Sequence, residues 1–115
     1  MRTEDEHMEE MLERFRQLAD RVADWKPRRE YLDEYKKSLL SLLMKDAERS
    51  GVTSAVGQER DARCRPEYLK LLDELQSAMK EEVKALYHLK AVEIEIEVWR
   101  TKSANARAER RAYGA

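Results

Sequence analysis

Two histidines, one cysteine and a run of glutamates are the residues of this chain whose types could do chemistry. His7 has Glu4, Glu10 and Met11 at one-turn distances, a spacing that a carboxylate–histidine metal site on a helix surface could use. The more economical reading is a solvated acidic first turn, where carboxylates oppose the partial positive charge of a helix N-terminus. His88 follows Tyr87 and has Lys84 rather than a carboxylate one turn earlier, so nothing nominates it as a general base. Glu93, Glu95 and Glu97 suggest metal-dependent hydrolysis. On one helix, however, Glu93 and Glu97 point one way and Glu95 another, whereas a two-metal site needs carboxylates converging from separate elements. Cys64 lies between Arg63 and Arg65 and reads as an incidental loop cysteine, with a reactive thiol as the alternative.

No glycine-rich phosphate loop, nucleophile elbow or paired Cys/His ligand spacing occurs in the sequence. The expectation is therefore a non-enzyme with no cofactor, no metal and no small-molecule substrate. Charge layout says more than charge total. The net charge is −1, yet residues 1–25 carry eight acids and four bases, while residues 99–115 carry five bases and one acid. The five are Arg100, Lys102, Arg107, Arg110 and Arg111, and at helical spacing Arg100, Arg107 and Arg111 share a face. Arg60, Arg63 and Arg65 form a second basic cluster. Such stripes suit nucleic-acid phosphates or an acidic protein partner, and Trp99 and Tyr113 are near enough for base stacking. The plainer readings are a basic end that complements the helix dipole, or pairing with the acidic N-terminal segment of another copy.

The elements that must position these residues are helices. Charged residues make up 41% and the hydrophobic set 42%, with three glycines and two prolines, a composition typical of long helices and coiled coils. Met8, Met11, Phe15, Leu18, Val22 and Trp25 recur at spacings of three and four and predict a first helix over residues 3–25. Pro27 is expected to end it and to start a second helix over 27–50. Tyr31, Leu32, Tyr35, Leu39, Leu42, Leu43 and Ala47 would face inward there, and Gly51 would terminate the helix. Residues 52–65 form a connection in which Thr53 or Ser54 could cap a short helical turn that Gly57 weakens.

From Pro66 to residue 111 no glycine, proline or turn cluster intervenes, which predicts a third helix on the order of 65–70 Å long, followed by a tail at 112–115. Within it, residues 91–99 alternate β-branched residues with glutamates, a strand pattern, but the uninterrupted helical context favours helix. Leu72, Leu75, Met79, Val83 and Leu86 are the expected hairpin core. Further on, Leu89, Val92, Ile96 and Trp99 fall on one face and Tyr87, Ala91, Ile94 and Val98 on the opposite one. A helix apolar on two sides needs partners on two sides, so a homo-oligomer, most simply a dimer, is expected. The candidate partner face comprises Tyr87, Ile94, Val98 and Trp99.

The stretch Glu97-Val-Trp-Arg-Thr-Lys-Ser-Ala-Asn-Ala-Arg-Ala-Glu109, with Gln58-Glu-Arg60 and Pro66-Glu-Tyr68 before it, resembles the C-terminal part of small uncharacterised helical proteins encoded by tailed bacteriophages and prophages. The likeness covers about the last 60 residues. Where that group often has an acidic capping residue before the proline, this chain has Arg65, which bears on the cap rather than the helix. Such genes lie among phage genes for DNA recombination and replication, so the resemblance implies a DNA-metabolism accessory without any assigned site. No apolar run approaches the roughly 18–20 residues of a membrane span, and the acidic start lacks the apolar stretch of a signal peptide. The expected location is cytoplasmic, the host cytoplasm if phage-encoded.

Together these readings predict an all-α fold: a long antiparallel, coiled-coil-like helical hairpin with an N-terminal helix alongside, in an oligomer. The expected function is a non-catalytic accessory or adaptor in DNA recombination or replication, acting through protein or nucleic-acid contacts. The alternatives are a module that inhibits or redirects a host factor, and a structural assembly protein.

Overall fold

The computed structural model describes residues 3–114; Met1, Arg2 and Ala115, the last residue of the expected tail, lie outside the described residues. Those residues form three helices and no strand: α1 (Glu4–Arg49), α2 (Ala55–Arg63) and α3 (Pro66–Tyr113). The segment over 91–99 is helical throughout. No helix among the described residues is long and apolar enough to cross a membrane.

Each helix end has a local cause. At the start of α1 the Glu6 amide donates to Thr3 Oγ1 at 3.1 Å and the Thr3 amide donates to Glu6 Oε2 at 3.3 Å. This reciprocal pair satisfies two amides that the first turn leaves without carbonyls. At the other end Gly51 takes φ +102°, the Gly51 amide donates to the Glu48 carbonyl and the Val52 amide to the Ala47 carbonyl, each at 3.0 Å. That is the left-handed glycine stop the sequence suggests. Ser54 caps α2, its Oγ accepting from the Gly57 amide at 3.0 Å. Arg65 offers α3 no side-chain cap. Its backbone carbonyl accepts from Tyr68 and Leu69 at 3.1 Å, while its guanidinium turns back to Asp61 at 2.9 Å.

The expected break at Pro27 does not occur, because Pro27 lies inside one continuous α1. A proline there removes the amide that would donate to the Ala23 carbonyl and crowds that carbonyl, at a cost of about 3 kcal/mol. Helix persists because the buried stripe keeps its phase through the proline. Met11, Phe15, Leu18, Val22, Trp25, Arg29, Leu32, Lys36, Leu39 and Leu43 step by four and three without a slip, and every one of them is buried or half-buried. Two helices with a break between them would have to reset that phase. The separate first and second helices expected from the sequence are therefore one element.

The chain divides into two compact units, Ala23–Val83 and the pair of segments Met1–Val22 with Lys84–Ala115. In the first, Leu32 of α1 packs with Leu71, Leu75 and Ala78 of α3, flanked by Trp25 and Leu39. Leu43, Ala62 and Tyr68 join all three helices in a second cluster. In the other, the early part of α1 and the late part of α3 run antiparallel, with His7 against Trp99 at 6.4 Å between ring centroids and Arg14 paired to Glu95 at 3.0 Å. Met11, Ala85 and Val92 are the buried residues there.

The buried row of α3 is Tyr68, Leu71, Leu75, Ala78, Glu82, Ala85 and Val92, continued by half-buried Leu89, Ile96 and Trp99. This corrects the expected core, of which Leu75 is buried and Leu72 half-buried while Met79, Val83 and Leu86 are exposed. Tyr31, Tyr35 and Leu42 of α1 are likewise exposed, the two tyrosines stacked with ring centroids 6.1 Å apart. In each case the larger apolar side chains lie beside the seam. Smaller or charged residues (Ala78, Glu82, Ala85) occupy it, and alanine there lets two helix backbones approach closely.

Candidate interaction surface on helix α3

Helix α3 outruns its partner. With His7 level with Trp99, the first residue of α1 falls near residue 102, so α3 continues about 11 residues, or roughly 16 Å, past it. Every residue from 104 to 114 is exposed. This overhang carries Arg107, Arg110 and Arg111, with Lys102 and Arg100 at its base. Arg100 sits 3.6 Å from Glu97. Lys102, Arg107, Arg110 and Arg111 have no ion-pair partner among the described residues.

The second basic cluster is different in kind. Arg63 donates to Glu59 at 2.7 Å and to the Tyr68 hydroxyl at 3.2 Å, and Arg65 is held by Asp61. Both guanidinium groups are raised above their ordinary pKa, first of all by those carboxylate hydrogen bonds. They staple α2 to the start of α3, while Arg60 has no ion-pair partner among the described residues. Cys64 is exposed at the C-terminal cap of α2.

The candidate chemical residues do not converge. Glu93 lies 4.0 Å from Lys90, Glu95 3.0 Å from Arg14 and Glu97 3.6 Å from Arg100, so each carboxylate answers a different base. His88 is exposed, and the His7 ring lies against Trp99. Among the described residues no three His, Cys, Asp or Glu side chains gather as a metal site would require.

Of the expected partner face, Tyr87, Ile94 and Val98 are exposed at 72%, 54% and 48%. Trp99 does not belong with them: it is half-buried on the side facing α1. Of the two aromatic residues near the basic end, Tyr113 is the exposed one.

One feature escaped the sequence reading. Arg29 and Glu82 occupy core positions of the seam and meet there, Arg29 Nε donating to Oε2 at 2.7 Å and a terminal nitrogen to Oε1 at 3.1 Å. That hydrogen bond holds the Glu82 carboxyl below its ordinary pKa, against the opposing effect of burial. A charged pair at matching seam positions fixes which layers of α1 and α3 face each other, since any slip would bury one charge alone. The signal was present in the spacing, because Arg29 falls between Trp25 and Leu32, and Glu82 between Ala78 and Ala85, at steps of four and three.

Comparison of the chain with protein-family models, curated proteins and solved structures returns no match.

Proposed function

We propose that this chain is a non-catalytic helical adaptor whose α3 overhang contacts nucleic-acid phosphates, acting as an accessory in phage DNA recombination or replication. The observation that carries the reading is the set of cations without an ion-pair partner among the described residues, Lys102, Arg107, Arg110 and Arg111, on a helix end that no other described helix accompanies. Guanidinium groups already held by carboxylates, as Arg63 and Arg65 are, must give up those bonds to meet a phosphate. Those of the overhang need not. The biological setting rests on the phage-protein resemblance of the C-terminal sequence.

A second reading is a protein-binding module that inhibits or redirects a host factor. What favours it is the apolar surface of the Ala23–Val83 unit, where Tyr31, Tyr35, Leu42, Leu69, Met79 and Val83 are all exposed.

Fluorescence anisotropy with labelled single- and double-stranded DNA separates the two. Three neutralised phosphates imply an affinity loss of about 40-fold between roughly 50 and 200 mM salt. Arg107/Arg110/Arg111→Ala, which removes three of the four overhang cations, should lose most of the binding. Absence of binding by the wild type at low salt would remove the nucleic-acid reading and leave a protein partner.

A further inference from the structure

The exposed side of α3 holds a second seam. Starting at Tyr87 and stepping by four and three, the chain reads Tyr87, Ala91, Ile94, Val98, Thr101, Asn105, Ala108 and Ala112. None of the eight is charged, in a sequence that is 41% charged, and all eight are exposed. One step upstream the row meets Lys84 and ends. It spans about 38 Å of helix and lies on the side of α3 away from Val92, Ile96 and Trp99, which face α1.

We infer that this row is the dimer seam of the protein: residues 87–112 of α3 pack in parallel and in register against the same residues of a second copy. Two observations select that occupant and direction. First, the positions beside the row complement themselves. In a parallel pair, each residue preceding an Ala91-type position faces the residue five places on in the other helix. Lys90 then meets Glu95 of the second copy, which Arg14 of its own chain also holds, and Glu97 meets Lys102 in place of or beside its own Arg100. By symmetry that gives four opposite-charge pairs and no like-charge pair over residues 90–102. Second, Asn105 is the one amide in the row. In register it faces Asn105 of the second copy, where each amide can donate and accept, a device that fixes register and favours two strands. An antiparallel pairing with full overlap instead sets Asn105 against Ile94, which buries an amide without a partner, and its flanking charges cancel, Lys90 beside Arg111 against Glu95 beside Lys102.

The dimer goes beyond the nucleic-acid reading and does not depend on it, although the two are compatible. Arg107 and Arg110 point away from this row by helical position, so pairing leaves them exposed, whereas Lys102 is taken up by Glu97 of the second copy. It also brings the basic ends of both copies to the same end of the assembly.

Sedimentation equilibrium of the full chain tests the state, and cysteine cross-linking tests the direction. The wild type should be a dimer with a Kd of about 10 μM or tighter. Ile94→Asp/Val98→Asp should be a monomer with unchanged far-UV circular dichroism, because both side chains are exposed in the single chain. A monomeric wild type, or a double variant that remains dimeric, would overturn the proposal. In a Cys64→Ser background, Ile94→Cys and Asn105→Cys should each form a disulfide with its own kind under mild oxidation. If only a mixture of the two variants cross-links, the pairing is antiparallel and the proposed register is wrong.

Discussion

Leu75 and Leu86 are the same residue type eleven places apart on α3, and the structure gives them different surroundings. Leu75 is 6% exposed within the Leu32–Leu71–Ala78 cluster, whereas Leu86 is 43% exposed beside the seam. Truncating Leu75 to alanine removes buried methyl groups and leaves a void that two rigid helices close only partly. A two-helix seam lies near solvent, so the cost belongs at the low end of the buried-leucine range, about 2–3 kcal/mol. Leu86 has about half of its surface to lose, and full burial of a leucine is worth roughly 1.5–3 kcal/mol, so Leu86→Ala should cost about 1 kcal/mol. Unfolding entropy scales with length, and for a chain of this size those figures correspond to drops in Tm of about 10 °C and 4 °C. Thermal circular dichroism of both variants at one fixed protein concentration measures them without a mass-action offset. Equal losses, or a larger loss at Leu86, would refute the placement of the seam through Leu71, Leu75 and Ala78.

Acid should act through Glu82. Its carboxyl is held below the ordinary glutamate range by Arg29, so the stability it contributes is fully present above about pH 4.3, the unfolded-state value. That stability is lost as pH falls through the lower folded-state pKa. Glu82→Gln should flatten this part of a denaturation-against-pH curve; an unchanged slope in urea titrations between neutral pH and pH 3 would contradict the assignment. Gly57 gives a test of opposite sense. Alanine in a helix is ordinarily worth about 1 kcal/mol over glycine, but a Cβ at position 57 would lie 2.8 Å from Ser54 Oγ and 3.0 Å from Val52 Cγ1. Gly57→Ala should therefore bring no gain in Tm, and a rise of several degrees would show that the Ser54 cap can shift freely.

The sequence was a good guide wherever a single stripe or a single stop residue decided the structure. Met11, Leu32, Leu43, Leu75 and Val92 were all readable as core from spacing alone, and Gly51 and Ser54 act as their residue types suggest. It misled where two physical effects compete at one position. Pro27 argues locally for a break, and only the unbroken phase of the residues around it reveals that packing outweighs the lost hydrogen bond. On α3 two apolar rows run side by side, and hydrophobicity ranked Met79, Val83 and Leu86 above Ala78, Glu82 and Ala85. The seam instead runs through the row that continues into Val92 and Trp99 and keeps a regular step with α1. Arg29 and Glu82 hold seam positions by spacing, but by residue type each reads as surface until the other is known to face it. Of the candidate site, the basic residues were legible as types. That Arg63 and Arg65 are engaged while Lys102, Arg107, Arg110 and Arg111 have no ion-pair partner among the described residues depends on which acids lie within reach, which sequence does not state.

The overhang of α3 also has a consequence for how its last turns come to be ordered. A free peptide of about a dozen residues must first close one helical turn, a nucleation penalty near 10⁻³ in statistical weight, or about 4 kcal/mol. The overhang escapes that penalty because its first turn grows out of a helix already held against α1 at Trp99 and Val92. Its equilibrium is one of elongation and fraying from a single end, so helicity should decay smoothly from residue 104 toward Tyr113 rather than vanish as a unit. A ligand arriving at Lys102 or Arg107 meets a surface already in its bound form, whereas one gripping Arg110 and Arg111 must also zip the final turn. Contacts near the base should accordingly form faster and tighter, charge for charge, than contacts at the tip.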